Sequence, residues 1–158
     1  MQREFRVGHG QDAHRLAGAG PLLVGGVSVE SPRGALAHSD GDVLLHALAD
    51  ALLSAYALGD IGRLFPPTDP SHAGLDSREI VARALEDLHR HAGAVRIENV
   101  AAVVTLDAPK LGARRGEIAA SVAGLLGMTP DAVGLTFKTS EGMTPDHVQA
   151  SVTLLLSR

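Results

Sequence analysis

Apolar residues recur along this chain in two rhythms. Between 77 and 92 the positions Ile80, Val81, Ala84, Leu85 and Leu88 fall at helical spacing, and Asp76 stands where an N-cap belongs. Between about 40 and 57, Leu44, Leu45, Leu48, Leu52 and Leu53 fill nearly every face of a second predicted helix, which Gly59 ends. Ser39, three residues before Asp42, reads as a variant of a capping box for it. A third helix is predicted over 112–126. Strand patterns occupy 4–8 (EFRVG), 22–29 (LLVGGVSV, folded into a hairpin at Gly25-Gly26), 95–106, 133–139 and 147–156. Pro32 and Gly34 mark a turn, DAPK (107–110) another, and GDIGRLFPPTDPSHAG (59–74) a loop. Strands interleave with helices, so the pattern predicts an α+β sandwich, a mixed sheet with helices on one face. No repeat, linker or low-complexity tract interrupts it, so residues 1–158 are expected to form a single domain.

Composition narrows this. A chain of 158 residues buries about 70% of its unfolded surface in one core. With 45% hydrophobic but only 3% aromatic residues, that core is aliphatic. A net charge of −4 argues against a nucleic-acid partner, which calls for a basic face. The absence of cysteine excludes disulfides and thiolate metal sites, so any metal must be held by His and carboxylate. The first ten residues, MQREFRVGHG, carry no apolar targeting segment, and no apolar run is long enough to span a membrane. A cytoplasmic protein is expected.

The second helix carries unusual chemistry. Asp42, His46 and Asp50 repeat at i, i+4, so a buried helix bears a polar stripe that costs several kcal/mol unless it is paired or metal-bound. Near the N-terminus, GHGQDAHR places Asp12 and His14 two apart, on one side of an extended segment. Asp12, His14 and His46 together would make a His/His/carboxylate set of the kind catalytic zinc sites use. Asp42 and Asp50 flank His46 and are candidates to accept its second ring N–H. Two arrangements without metal compete: an internal hydrogen-bonded network on the helix, and a turn in which Asp12 bonds neighbouring backbone N–H groups. His9, His72, His89, His91 and His147 read as surface or loop histidines, and Arg114-Arg115 as a solvated helix face.

The segments GHGQDAHR, LAHSDGDVLLHALADALLSA, LGDIGRLFPPTDP and DAPKL occur in an order and spacing that closely resembles the 2-C-methyl-D-erythritol 2,4-cyclodiphosphate synthases, over essentially the whole chain. TFKTSEG is a weaker match near the C-terminus. The resemblance implies a cyclising phosphorus–oxygen lyase of the non-mevalonate isoprenoid pathway. Its substrate is 4-diphosphocytidyl-2-C-methyl-D-erythritol 2-phosphate, whose 2-phosphate attacks the β-phosphorus and expels CMP. It further implies a homotrimer with active sites between subunits, zinc on Asp12, His14 and His46, and magnesium or manganese at Glu141. His38 and Thr139 match the transition-state stabilisers, and Ser39 joins His38 at the substrate phosphates. Asp60, Ile61 and Gly62, with Phe65, Thr68 and Asp69, match the methylerythritol phosphate pocket. Ala108, Pro109, Lys110 and Leu111 match the cytidine turn, and Lys138 and Ser140 flank Thr139 on the substrate side.

The match has departures. Pro67 stands where the family has Asp, Lys138 where many members have Thr, and GMTPDHVQA replaces a longer Gly-rich segment that lines a pocket on the trimer axis. That pocket is not carried over. Two other functions stay open on the residues alone. One is a zinc-dependent phosphohydrolase with His38 near the metal, disfavoured because the chain has no carboxylate in the H-E-x-x-H position of a metalloprotease helix. The other is a non-catalytic metal- or nucleotide-binding module, for which His38 and Glu141 would be dispensable.

Overall fold

The computed structural model describes residues 2–158. In chain order it runs β1 (Phe5–Ala19), β2 (Leu22–Val24), β3 (Val27–Val29), β4 (Arg33–Leu36), α1 (Val43–Ser54), α2 (Ile61–Leu64), α3 (Ser77–Ala92), β5 (Arg96–Thr105), α4 (Arg115–Leu126), β6 (Val133–Lys138) and β7 (His147–Ser157). Five strands form one sheet in the order β4-β1-β7-β5-β6, and β2 pairs with β3 as a separate hairpin. The β5–β6 pair is parallel and the other sheet pairs are antiparallel, so the sheet is mixed as the pattern predicts. Val100, Ala102 and Val104 of β5 alternate with exposed neighbours and meet Val148, Ala150, Val152, Leu154 and Leu156 of β7 in the core. Helix α1 lies across β1 and β7 and against α3. On the other side of the sheet Phe5, Val7 and Val103 stay exposed.

The first strand is much longer than the predicted 4–8 and runs for 15 residues. Its alternation is hidden because glycines occupy the inward positions 8 and 10, and half-buried Asp12 and His14 occupy the next two. Those glycines set the position of α1. A Cβ on Gly8 would fall 2.0 Å from the Ala51 carbonyl oxygen, and one on Gly10 would fall 2.1 Å from that of Ala47. The helix backbone therefore rests directly on the strand. Two strand residues advance about 6.7 Å and four helix residues about 6.0 Å, so the two antiparallel elements stay nearly in step. Two residues beyond Gly10 the strand presents Asp12, whose carboxylate meets the ring of His46, the residue next to Ala47.

Helix α1 also begins later than predicted. Its N-cap is Asp42, whose carboxylate accepts from Leu45 N at 3.0 Å, so Ser39 is not the cap. The same carboxylate accepts from Gly25 N at 2.9 Å and Gly26 N at 2.6 Å, fastening the β2–β3 turn to the start of α1. Both glycines have positive φ, +64° and +80°, which leaves room for this turn where a side chain would be strained. β4 occupies the segment that Pro32 and Gly34 marked as a turn, pairing Gly34 with Gly18 at the edge of the sheet. Asp76 caps α3 as predicted, accepting from Arg78 N.

Candidate metal centre and adjoining cavity

Asp12, His14 and His46 are the one group among the described residues whose donor atoms gather closely enough to hold a metal ion, all within 4.8 Å of one another. β1 supplies the first two from one face, and α1 supplies the third because it rides so low on the strand. Asp12 Oδ2 lies 3.1 Å from His46 Nδ1 and 2.7 Å from His14 Nε2. The second contact lacks hydrogen-bond geometry, and the buried His14 Nε2 has no other partner. An orphaned ring nitrogen facing a carboxylate oxygen and a second imidazole is a donor set suited to a divalent cation. Burial opposes ionisation of Asp12, but the His14 and His46 rings outweigh it and bring its pKa down to about 2. The carboxylate is thus anionic at any ordinary pH. Neither the helix-confined network nor the local turn at Asp12 is formed.

The partners of the second His46 nitrogen differ from the expected ones. Nε2 faces Ser77 Oγ at 2.9 Å and Ser39 Oγ at 3.0 Å, while Asp42 is spent on the hairpin turn. Asp50 instead accepts from Ile61 N at 2.8 Å, anchoring the start of α2. Burial raises the Asp50 carboxyl above its ordinary value, against the pull of that N–H. Ser77 was not legible as a functional residue. In sequence it is only the first residue after the Asp76 cap.

A cavity of about 230 Å³ opens beside this centre. His14, His46, His38 and Ser39 line one side, and Ile61, Gly62, Phe65 and Pro67 the other. His72, read from sequence as a surface or loop histidine, also lines it, with its ring edge-on to Phe65 at 5.2 Å between centroids. Asp60, Thr68 and Asp69 do not line the cavity. Asp60 caps α2 through Arg63 N, Asp69 accepts from the Ser71 N–H and hydroxyl, and Thr68 is exposed.

The remaining predicted residues sit elsewhere. Ala108, Pro109, Lys110 and Leu111 follow β5, and Lys138 ends β6 with Thr139, Ser140 and Glu141 after it; Leu111 is buried in the core. Parallel pairing places both segments at one edge of the sheet, where Asp107 Oδ1 accepts from Ser140 N at 2.6 Å and Ser140 Oγ at 2.7 Å. Those Ser140 bonds hold the Asp107 carboxyl below its ordinary range. Glu141 is exposed, with φ +56°, and Thr139 Oγ1 lies 3.4 Å from its carboxylate. With β7 and β5 between β1 and β6, three strand spacings of about 4.8 Å separate this group from the metal centre. One chain therefore carries two separate parts.

Known proteins resemble the chain along nearly its whole length. The model of the YgbB family matches residues 5–157. A 2-C-methyl-D-erythritol 2,4-cyclodiphosphate synthase of Deinococcus radiodurans is 57% identical over 155 residues, covering 98% of this chain and 95% of that protein. One of Thermus thermophilus is 52% identical over 152 residues, covering 96% and 99%. A solved 2-C-methyl-D-erythritol 2,4-cyclodiphosphate synthase in a CDP-bound form superposes with a TM-score of 0.89 at 48% identity, over 96% of this chain and 99% of that one.

Proposed function

The chain belongs to the YgbB family, and on that premise we propose how its cavity and metal centre work. The protein is a cyclising phosphorus–oxygen lyase of isoprenoid biosynthesis. It converts 4-diphosphocytidyl-2-C-methyl-D-erythritol 2-phosphate to 2-C-methyl-D-erythritol 2,4-cyclodiphosphate and releases CMP. The observation that carries the reading is the convergence of Asp12, His14 and His46 at the wall of a cavity shared with His38, Ser39, Ile61 and Gly62.

The nucleophile is a phosphate, already anionic at neutral pH, so the site needs no strong general base. Both reacting groups belong to one molecule, which makes alignment the main task. Ile61, Gly62 and Phe65 wall the methylerythritol portion, with Asp60 and Asp69 holding their loop in shape and Thr68 at its exposed bend. His38, exposed at the cavity beside Ser39, donates to phosphate oxygens as charge shifts during the displacement. Ala108, Pro109, Lys110 and Leu111 receive the cytidine, and Thr139 stabilises the transferring phosphoryl group with Lys138 and Ser140 beside it. Zinc held by Asp12, His14 and His46, with magnesium or manganese at Glu141, would supply Lewis acidity and offset diphosphate charge. A lone carboxylate fits magnesium, which keeps waters and takes its other ligands from substrate phosphates.

The Asp12 centre and Glu141 lie three strand spacings apart in one chain, too far for two ions to share one diphosphate, and the outer sheet face leaves Phe5, Val7 and Val103 exposed. Both support a homotrimer in which the metal centre of one subunit meets Thr139 and Glu141 of the next. Residues 1–158 act as one synthase domain, in the cytoplasm. The test is incubation with the diphosphocytidyl substrate and magnesium, following products by chromatography. Stoichiometric CMP and cyclodiphosphate are expected. A linear hydrolysis product, or no turnover, would sink the reading.

A further inference from the structure

The contacts behind His46 reach a residue that neither the sequence pattern nor the reaction singles out. Ser77, the first residue of α3, is fully buried, and its hydroxyl lies between two groups. On one side His46 Nε2 is 2.9 Å away, and on the other the hydroxyl donates to Asp40 Oδ1. Asp40 is held in place by two backbone donors, Ser77 N at 2.9 Å and Asp42 N at 3.1 Å. The segment that holds Asp40 and His46 and the distant start of α3 thus meet on one chain of bonds, from carboxylate to hydroxyl to imidazole.

We infer that Ser77 is a positioning residue that, backed by Asp40, fixes the His46 ring so that Nδ1 is offered to the metal. The inference rests on the reading of Asp12, His14 and His46 as metal ligands. A serine hydroxyl has one proton, and its hydrogen bond goes to Asp40 Oδ1. The lone pairs of Ser77 Oγ are then what His46 Nε2 meets, so that nitrogen must carry the ring proton. Nδ1, facing Asp12 Oδ2 and the orphaned His14 Nε2, is left with a lone pair whenever the ring is neutral. Three acceptors turned toward one point stabilise a cation there. Histidine ligands are held to metals by partners of this kind, and loss of the partner weakens metal binding.

The same contacts separate the duties of two serines. Ser39 Oγ also lies 3.0 Å from His46 Nε2, but Ser39 lines the cavity and is only half-buried. Ser77 keeps the ring proton satisfied by itself, so Ser39 is released to face a phosphate without disturbing the ligand.

The experiment is a zinc titration of metal-stripped protein against a chromophoric chelator. Ser77→Ala is expected to bind zinc about 10- to 100-fold more weakly, and Ser39→Ala to stay within about threefold of the unmutated chain. The Ser77 N–H bond to Asp40 survives the alanine substitution, so the metal-free melting temperature should move little. Ser77→Thr, which keeps the hydroxyl, should restore affinity. Equal zinc affinity in Ser77→Ala, or an equal loss in Ser39→Ala, would overturn the inference. If Ser77→Ala does not fold, imidazole nitrogen NMR of the zinc-loaded unmutated protein decides. A proton on His46 Nε2 supports the assignment, and a proton on Nδ1 refutes it. Failure of the unmutated chain to bind zinc would instead overturn the metal reading itself.

Discussion

Removing the His46 imidazole takes one of three converging donor atoms away and leaves Asp12 and His14, both on β1, without the third ligand supplied by α1. His46→Ala should therefore lose bound metal and CMP release together, by metal analysis and chromatography of one preparation. Glu141→Gln, on a separate strand end, should keep the metal of the Asp12 centre while requiring far more magnesium for turnover. Loss of that first metal in Glu141→Gln would mean the two sites are not separate. The triad was legible because its residues carry local signals: a period-two pair on a strand, and a histidine in a polar stripe on a helix that is otherwise apolar nearly all round. Asp42 and Asp50 misled for the same local reason. Spacing put them beside His46, but Asp42 lies outside the helix as its cap and Asp50 looks one turn further on, toward Ile61. Ser77 gave no signal, since its meeting with Asp40 depends on a contact across 37 residues.

Elements meet here through backbone proximity more than through side-chain bulk. Gly10→Ala would drive a Cβ into the Ala47 oxygen and within 2.6 Å of Ala51 N, atoms that move only if the whole helix moves. The expected loss is about 3 kcal/mol or more, seen as a fall of roughly 10 °C in Tm, with weaker zinc binding as His46 lifts away. Unchanged zinc affinity in a destabilised Gly10→Ala would show that helix height does not set the centre. Asp42→Asn puts an amide donor against the Gly25 or Gly26 N–H and should cost about 1–3 kcal/mol in denaturant unfolding, with little change in KM. The long β1 escaped sequence reading for a related reason. Glycine and polar residues on its inward side erase the alternation that marks a half-buried strand, whereas α3, with ordinary side chains and an ordinary cap, was legible almost to the residue.

At the scale of the whole molecule, the open sheet face and the divided site make one testable pair. Light scattering should give three times the chain mass, and Val7→Glu, on the exposed side of β1, should shift it toward smaller species with the fold intact. A stronger test mixes two inactive proteins. After joint unfolding and refolding, His46→Ala and Glu141→Ala chains should recover roughly a quarter of normal activity, since each site draws its halves from two neighbours in a closed ring. No recovery would place both halves in one subunit. Nothing in composition or periodicity announces such an assembly, because an outward strand position looks the same whether water or another copy covers it. The bond from Asp107 to Ser140 then has a consequence for turnover. The turn that would seat the nucleobase and the carboxylate that would hold the diphosphate's counter-ion are tied as one rigid jaw, so spent nucleotide and its ion should let go together.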